Sequence, residues 1–203
     1  MLKPTIRIIC FVLSLSLTAA PASRAAEQPL DIAKSVIERA LEILRNQDLS
    51  KQERRRQVKE IVDRRFDYRE MAKRSLGATW RTLSKAQQDD FVRLFAELLE
   101  ASYSDKIEKY AVNVRVDYVG QSVDGDYAEV RTLVIRPNDK IPISYRLLNE
   151  SGGWMVYDVT IEGVSLVSNY RSQFSQIIHE SSYGELVRRL RTKVHELQAT
   201  GGA

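Results

Sequence analysis

From Leu30 to Leu44 the apolar residues Leu30, Ile32, Ala33, Val36, Ile37, Ala40, Leu41 and Leu44 recur at intervals of three and four. This is the period of an amphipathic helix, predicted over 30–46, with Asp31 in its first turn. After a polar break at 46–50, Ser50 and Glu53 fit a capping box for a second, highly charged helix over 51–64, anchored by Val58, Ile61 and Val62. A short helix over 68–75 ends at Gly77. Ser84 with Gln87 opens a long helix running to Tyr110, whose stripe is Phe91, Leu94, Phe95, Leu98 and Leu99. The period then changes to two. Val112, Val114, Val116 and Tyr118 alternate with polar residues, and the segments 126–136, 141–149 and 154–161 follow behind turns at Asp124-Gly125, Pro137-Asn138-Asp139 and Ser151-Gly152-Gly153. Two helices, 166–180 and 184–197, close the chain, and 199–203 is a frayed tail. Helices and strands segregated along the chain predict an α+β fold: a four-stranded antiparallel meander with helices packed on one face.

The first 26 residues follow another pattern. Lys3 and Arg7 precede an apolar run from Ile8 to Ala20, and small residues follow through Ala26. That is the layout of a secretory signal peptide, cut between Ala22 and Ala26; the run is too short for a membrane span. Cys10 lies within the run and not at its end, which argues against a lipoprotein anchor. Residues 27–203 are then the exported domain. Of the 31 basic residues in the 203-residue chain, the leader holds Lys3, Arg7 and Arg24 and no acid, so cleavage lowers the net charge from +4 to +1. It also removes Cys10, the one cysteine, which excludes disulfides and cysteine-based metal or redox sites.

Charge is uneven. The stretch 51–74 carries ten cations against five acids. Export away from the chromosome argues against nucleic acid as its partner. What remains is a solvated helix face laced with i,i+4 pairs, or a docking surface for anionic headgroups or an acidic protein, with Arg55, Arg56, Lys59, Arg69 and Lys73 as its candidate residues. Catalytic motifs are sparse. His179 and His195 sit in no metal-binding spacing, the segment 163–167 lacks the second glycine of a nucleophile elbow, and no phosphate-binding glycine loop occurs. Asp158, in the apolar strand 154–159, admits two readings: the general base of a small-molecule isomerase or hydrolase-like pocket, or a structural carboxylate paired with Arg146 or Arg171. Periodicity alone does not separate a filled core from a lined cavity.

Several ordered blocks resemble the MlaC, or toluene-tolerance, family of periplasmic phospholipid-binding proteins. They are Phe66-Asp67-Tyr68-Arg69-Glu70-Met71, Leu76-Gly77-Ala78-Thr79-Trp80-Arg81, residues 87–95, Tyr145-Arg146-Leu147, residues 153–159 and residues 163–174. The resemblance runs from about 30 to 197. It implies a carrier, not an enzyme, without cofactor or metal, that holds phospholipid as cargo and acts as a monomer. Its implied partners are an outer-membrane lipoprotein complex and an inner-membrane ABC transporter with an MCE-domain subunit, and its implied role is maintaining outer-membrane lipid asymmetry. Acyl chains would enter an apolar cavity between sheet and helices, walled by Phe66, Met71, Leu76, Trp80, Phe95, Leu99, Tyr103, Tyr145, Val156, Val159 and Phe174. Strict alternation puts Val156 and Val159 on opposite strand faces, so which face lines the cavity stays open.

Overall fold

A computed structural model describes residues 27–111, 113–150 and 153–201. The leader, Cys10 and part of the 151–153 turn lie outside the described residues. Helices α1 (Pro29–Arg45), α2 (Lys51–Asp63), α3 (Tyr68–Leu76) and α4 (Lys85–Tyr110) come first, with a 3₁₀ turn at Gly77–Thr82. Strands β1 (Arg115–Asp124), β2 (Tyr127–Ile135), β3 (Lys140–Glu150), β4 (Gly153–Ile161) and β5 (Val164–Ser165) follow, and α5 (Leu166–Glu180) and α6 (Tyr183–Gly201) end the chain. The sheet is an antiparallel meander in the order β1-β2-β3-β4-β5. Among the described residues the expected frayed tail is corrected, since α6 stays helical to Gly201, and the pattern-based reading misses the 3₁₀ turn and β5, a two-residue strand behind a turn in which Glu162 (φ 51°) and Gly163 (φ 81°) both take positive φ. Such a pair suits a tight two-residue hairpin, and two residues are too few to alternate.

Local chemistry fixes the helix starts. Ser84 and Gln87 form a complete capping box, whereas Ser50 accepts from the Glu53 amide while the Glu53 carboxylate turns to Arg56 and Gln57. Asp67 and Ser165 cap α3 and α5 by accepting from the amides of Glu70 and Ser168. Gln121 of β1 accepts from the Leu30 amide at 2.8 Å, satisfying one of the orphan donors of α1 from the sheet surface. Gly77 ends α3 at φ 57°, and the Arg171 guanidinium packs 3.3 Å from where a Cβ would stand, so both conformation and contact call for glycine.

Two β-bulges reset the strand faces. Tyr157 is the extra residue in β4, because Leu147 pairs with Val156 and the next partner, Arg146, pairs with Asp158. Val156 and Val159 therefore share a face, correcting the alternation-based expectation that they oppose one another. Val119 is the extra residue of β1 and is exposed.

Apolar burial falls into two clusters. One is helical: Met71, Ala72, Leu76, Trp80, Phe91, Leu94, Phe95, Leu98, Leu99, Val167, Phe174 and three α6 residues. The other joins Ile32 and Ala33 of α1 to Ala128, Val130, Leu147, Trp154, Val156 and Val159 on one sheet face. Helices α3 and α5 abut β4, and the chain just before α3 bonds to its edge: Asp67 donates to the Val156 carbonyl at 2.9 Å and Val156 to that of Arg65 at 2.7 Å.

Candidate functional site

Those edge bonds place Phe66 between the clusters. Its half-buried ring packs against both. The residues expected to wall a cavity divide around it. Met71, Leu76, Trp80, Phe95, Leu99 and Phe174 are buried in the helical cluster, with Tyr103 half-buried against it. Val156 and Val159 belong to the sheet cluster, with Tyr145 against it. Phe95 and Phe174 each meet three other rings: Phe95 meets Tyr170 edge-on at 5.3 Å, Phe91 in a stack at 6.0 Å and Phe174 at 5.8 Å, and Phe174 also meets Phe91 at 5.8 Å and Tyr170 at 5.4 Å. Tyr170, four residues before Phe174 on the apolar stripe of α5, joins this group although it is not among the residues expected to wall the cavity.

The sheet face under α1 changes along its length. Ala128, Val130 and Leu147 are buried, whereas Val134, Ile141, Ile143 and Ile161 on the same face are half-exposed. The apolar stripes nearby share this property: Val36, Ile37, Ala40 and Leu41 of α1 are half-buried, and α2 has no buried residue although Val58, Ile61 and Val62 form a stripe. Ion pairs tie α2 to α4 instead. Arg54 donates to Glu108 at 3.0 Å, Arg55 to Glu108 at 2.9 Å and to Asp105, and Lys59 lies 3.5 Å from Glu100. Elsewhere, a groove of about 180 Å³ lined by Arg55, Glu100, Ala101, Ser104, Asp105, Leu197 and Gln198, and one of about 520 Å³ along Glu38, Leu41, Glu42, Arg45 and Asn46, have charged walls. Neither suits an apolar ligand as well as the half-covered sheet face does.

Hydroxyls lie both on that face and against the helical cluster. Burial pushes the phenols of Tyr103 and Tyr145 up to about 12, with a hydrogen bond to Tyr170 adding to the effect at Tyr103 and one to Thr132 opposing it at Tyr145. Burial, assisted by Glu38, does the same for Tyr118. Phenols raised above their unfolded value of about 10 contribute stability that is full below that pH and is lost as pH rises toward the folded value. We expect the urea midpoint to fall between about pH 10 and pH 12, in parallel with phenolate absorbance, and Tyr145→Phe to remove part of that fall.

The five candidate docking cations each have an acidic partner within the chain: Arg55 with Asp105 and Glu108, Arg56 with Glu53 and Glu60, Lys59 with Asp63 and Glu100, Arg69 with Asp89, and Lys73 with Glu70. Asp158 is 3% exposed and accepts from the Ser165 hydroxyl at 2.6 Å and the Val167 amide at 3.1 Å, with Arg146 at 3.6 Å. Its lone pairs face this chain's own donors, the arrangement of a structural carboxylate. Among the described residues no group of three or more His, Cys, Asp or Glu is placed to hold a metal ion, and no helix is long and apolar enough to cross a membrane. His179 and His195 are exposed on α5 and α6.

Among the described residues, a four-stranded meander extended by a short fifth strand, six helices and two apolar clusters meeting at one aromatic ring make an α+β fold. The chain belongs to the MlaC family: the profile of the MlaC protein matches residues 34–192. A relative from Haemophilus influenzae, the intermembrane phospholipid transport system binding protein MlaC, is 25% identical over 120 residues, covering 57% of this chain and 56% of that protein. The match thus spans about half the length of that relative. Among solved structures, a phospholipid-binding protein from Ralstonia solanacearum in complex with a phospholipid shares the fold, with a TM-score of 0.75 and 23% identity over 85% of this chain and 99% of that one.

Proposed function

We propose that this protein is a periplasmic phospholipid carrier that moves glycerophospholipid between an outer-membrane lipoprotein complex and an inner-membrane ABC transporter with an MCE-domain subunit, maintaining outer-membrane lipid asymmetry. The observation that carries this reading is the half-covered apolar sheet face under α1, joined to the helical cluster at Phe66. Membership of the MlaC family, a relative named for intermembrane phospholipid transport and a fold-mate solved with a phospholipid support it. In this reading the acyl chains lie along Phe66, Leu99, Tyr103, Tyr145, Val156 and Val159, while Met71, Leu76, Trp80, Phe95 and Phe174 back the wall. Separation of α2 from α4 supplies the volume.

The energetics favour a carrier. Two acyl chains carry about 30 methylenes, and at about 0.8 kcal/mol each, exposing them to water costs about 25 kcal/mol. Free diffusion of the lipid is negligible at that cost. A protein interior as apolar as the bilayer makes transfer nearly thermoneutral, so partners set the direction and no catalytic group is needed. Docking at Arg55, Arg56, Lys59, Arg69 and Lys73 then proceeds by exchange of intrachain ion pairs for a partner's acids and weakens with salt.

Protein purified without detergent from a membrane-containing host should release phospholipid on denaturing organic extraction, at about one molecule or more per chain, identified by lipid mass spectrometry. A lipid-free extract from such protein would count decisively against the carrier.

A further inference from the structure

Three hydroxyls stand side by side on the sheet face under α1. Tyr118 of β1 pairs directly with Thr132 of β2, and Tyr145 of β3, paired with Val130, sits one step along the same face. The Thr132 hydroxyl donates to the Ile143 carbonyl at 3.0 Å. That bond accounts for Thr132. The Tyr118 phenolic oxygen is buried, yet it has no hydrogen-bond partner among the described residues. Most buried polar groups are bonded, and an unmet one is costly, so an orphan hydroxyl at the margin of a binding face points to an acceptor supplied from outside the chain.

The surroundings of Tyr118 define that acceptor. On one side lie Lys34, its Nζ 5.8 Å from the ring centroid, and Glu38, the two paired at 3.9 Å and exposed to solvent. On the other side the same face continues through the apolar Val130 and Ile143. Polar and ionic outside, hydroxyl in the middle and apolar inside is the order a phospholipid itself presents: headgroup, ester linkage, acyl chain. No uncompensated cation adjoins Tyr118, since Glu38 balances Lys34, so a phosphate oxygen has no counter-charge there. A neutral acceptor does not need one.

We propose that the Tyr118 hydroxyl donates a hydrogen bond to an ester carbonyl oxygen of the bound phospholipid, making this residue a reader of the ester linkage; the inference rests on the carrier reading above. A diacyl phosphatidylethanolamine and its dialkyl ether analogue, which lacks the carbonyls, are competed against a fluorescent phospholipid for the delipidated protein. Wild type should prefer the ester by about five- to tenfold, and Tyr118→Phe should bind both equally. Lipid-free Tyr118→Phe should melt no lower than wild type, because it loses only an unpartnered group. Equal binding of the two lipids by wild type, an ester preference that survives in Tyr118→Phe, or destabilisation of the lipid-free variant would each overturn the assignment, the last by revealing a water or protein partner for the hydroxyl. Failure of wild type to bind either lipid would instead bring down the carrier reading, and this site with it.

Discussion

Replacing Phe95 by alanine is expected to lower stability by about 3–5 kcal/mol, a large share of the roughly 5–15 kcal/mol that holds a typical domain together. The ring is 0% exposed. It lies edge-on to Tyr170 and Phe174 and stacked on Phe91, with centroids between 5.3 and 6.0 Å. Each such pair adds about 0.5–1.5 kcal/mol beyond the area it buries. Because the neighbours are themselves held by α4 and α5, they collapse poorly into the space, and the full cavity penalty applies. The urea midpoint of the variant, compared with wild type at unchanged slope, measures this loss. Had Phe95 bounded an open cavity, truncation would only have enlarged it, at a smaller cost. Phe95→Trp tests the same packing from the other side: in a filled core the added volume costs about 1–3 kcal/mol, and in an open one it displaces lipid instead. The structure favours the first outcome, and with it the proposal that acyl chains lie at the Phe66 seam and along the sheet, in front of the helical cluster.

The helices could be read from the chain because each is written in local chemistry: three-four spacing, Ser50 with Glu53, Ser84 with Gln87. The meander was equally legible from alternation broken by turn residues. The bulges were not. Tyr157 and Val119 are extra only with respect to the strand beside them, so nothing in their own segments marks the phase change that unites Val156 with Val159. Long-range electrostatics were hidden for a related reason. The i,i+4 pairs Arg56–Glu60 and Lys59–Asp63 follow from spacing, whereas the ties from Arg54 and Arg55 to Glu108 span more than fifty positions and turn an apparent basic patch into a helix-to-helix junction. At the candidate site, composition identified apolar residues but not their surroundings. Phe95 and Tyr145 look alike in sequence, and only packing separates a ring locked among rings from one beside a half-covered face. Tyr118 reads as one more inward strand residue until the register sets it against Thr132.

Asp158→Ala is expected to cost about 3 kcal/mol, and Asp158→Asn about half of that. The carboxylate joins β4 to the start of α5, accepting from the Ser165 hydroxyl and from the Val167 amide in the first helical turn, where the helix dipole also favours an anion. Alanine strands that amide in the interior, and a buried donor left without its charged acceptor loses about 1.5–3 kcal/mol. Asparagine can still accept from Val167 while giving up the charge. Arg146 adds little, since its side chain is 48% exposed and 3.6 Å away; Arg146→Gln should cost less than about 1 kcal/mol. The series separates two roles for the carboxylate. A general base predicts that Asp158→Asn abolishes turnover of some substrate while stability and lipid occupancy hold. A structural carboxylate predicts a graded loss of stability from Arg146→Gln through Asp158→Asn to Asp158→Ala, with extractable phospholipid falling only in step with the folded fraction. Both of its lone-pair partners are fixed donors of the β4–α5 corner, so the graded series is the result we expect, and an Asp158→Asn protein of wild-type stability would refute it.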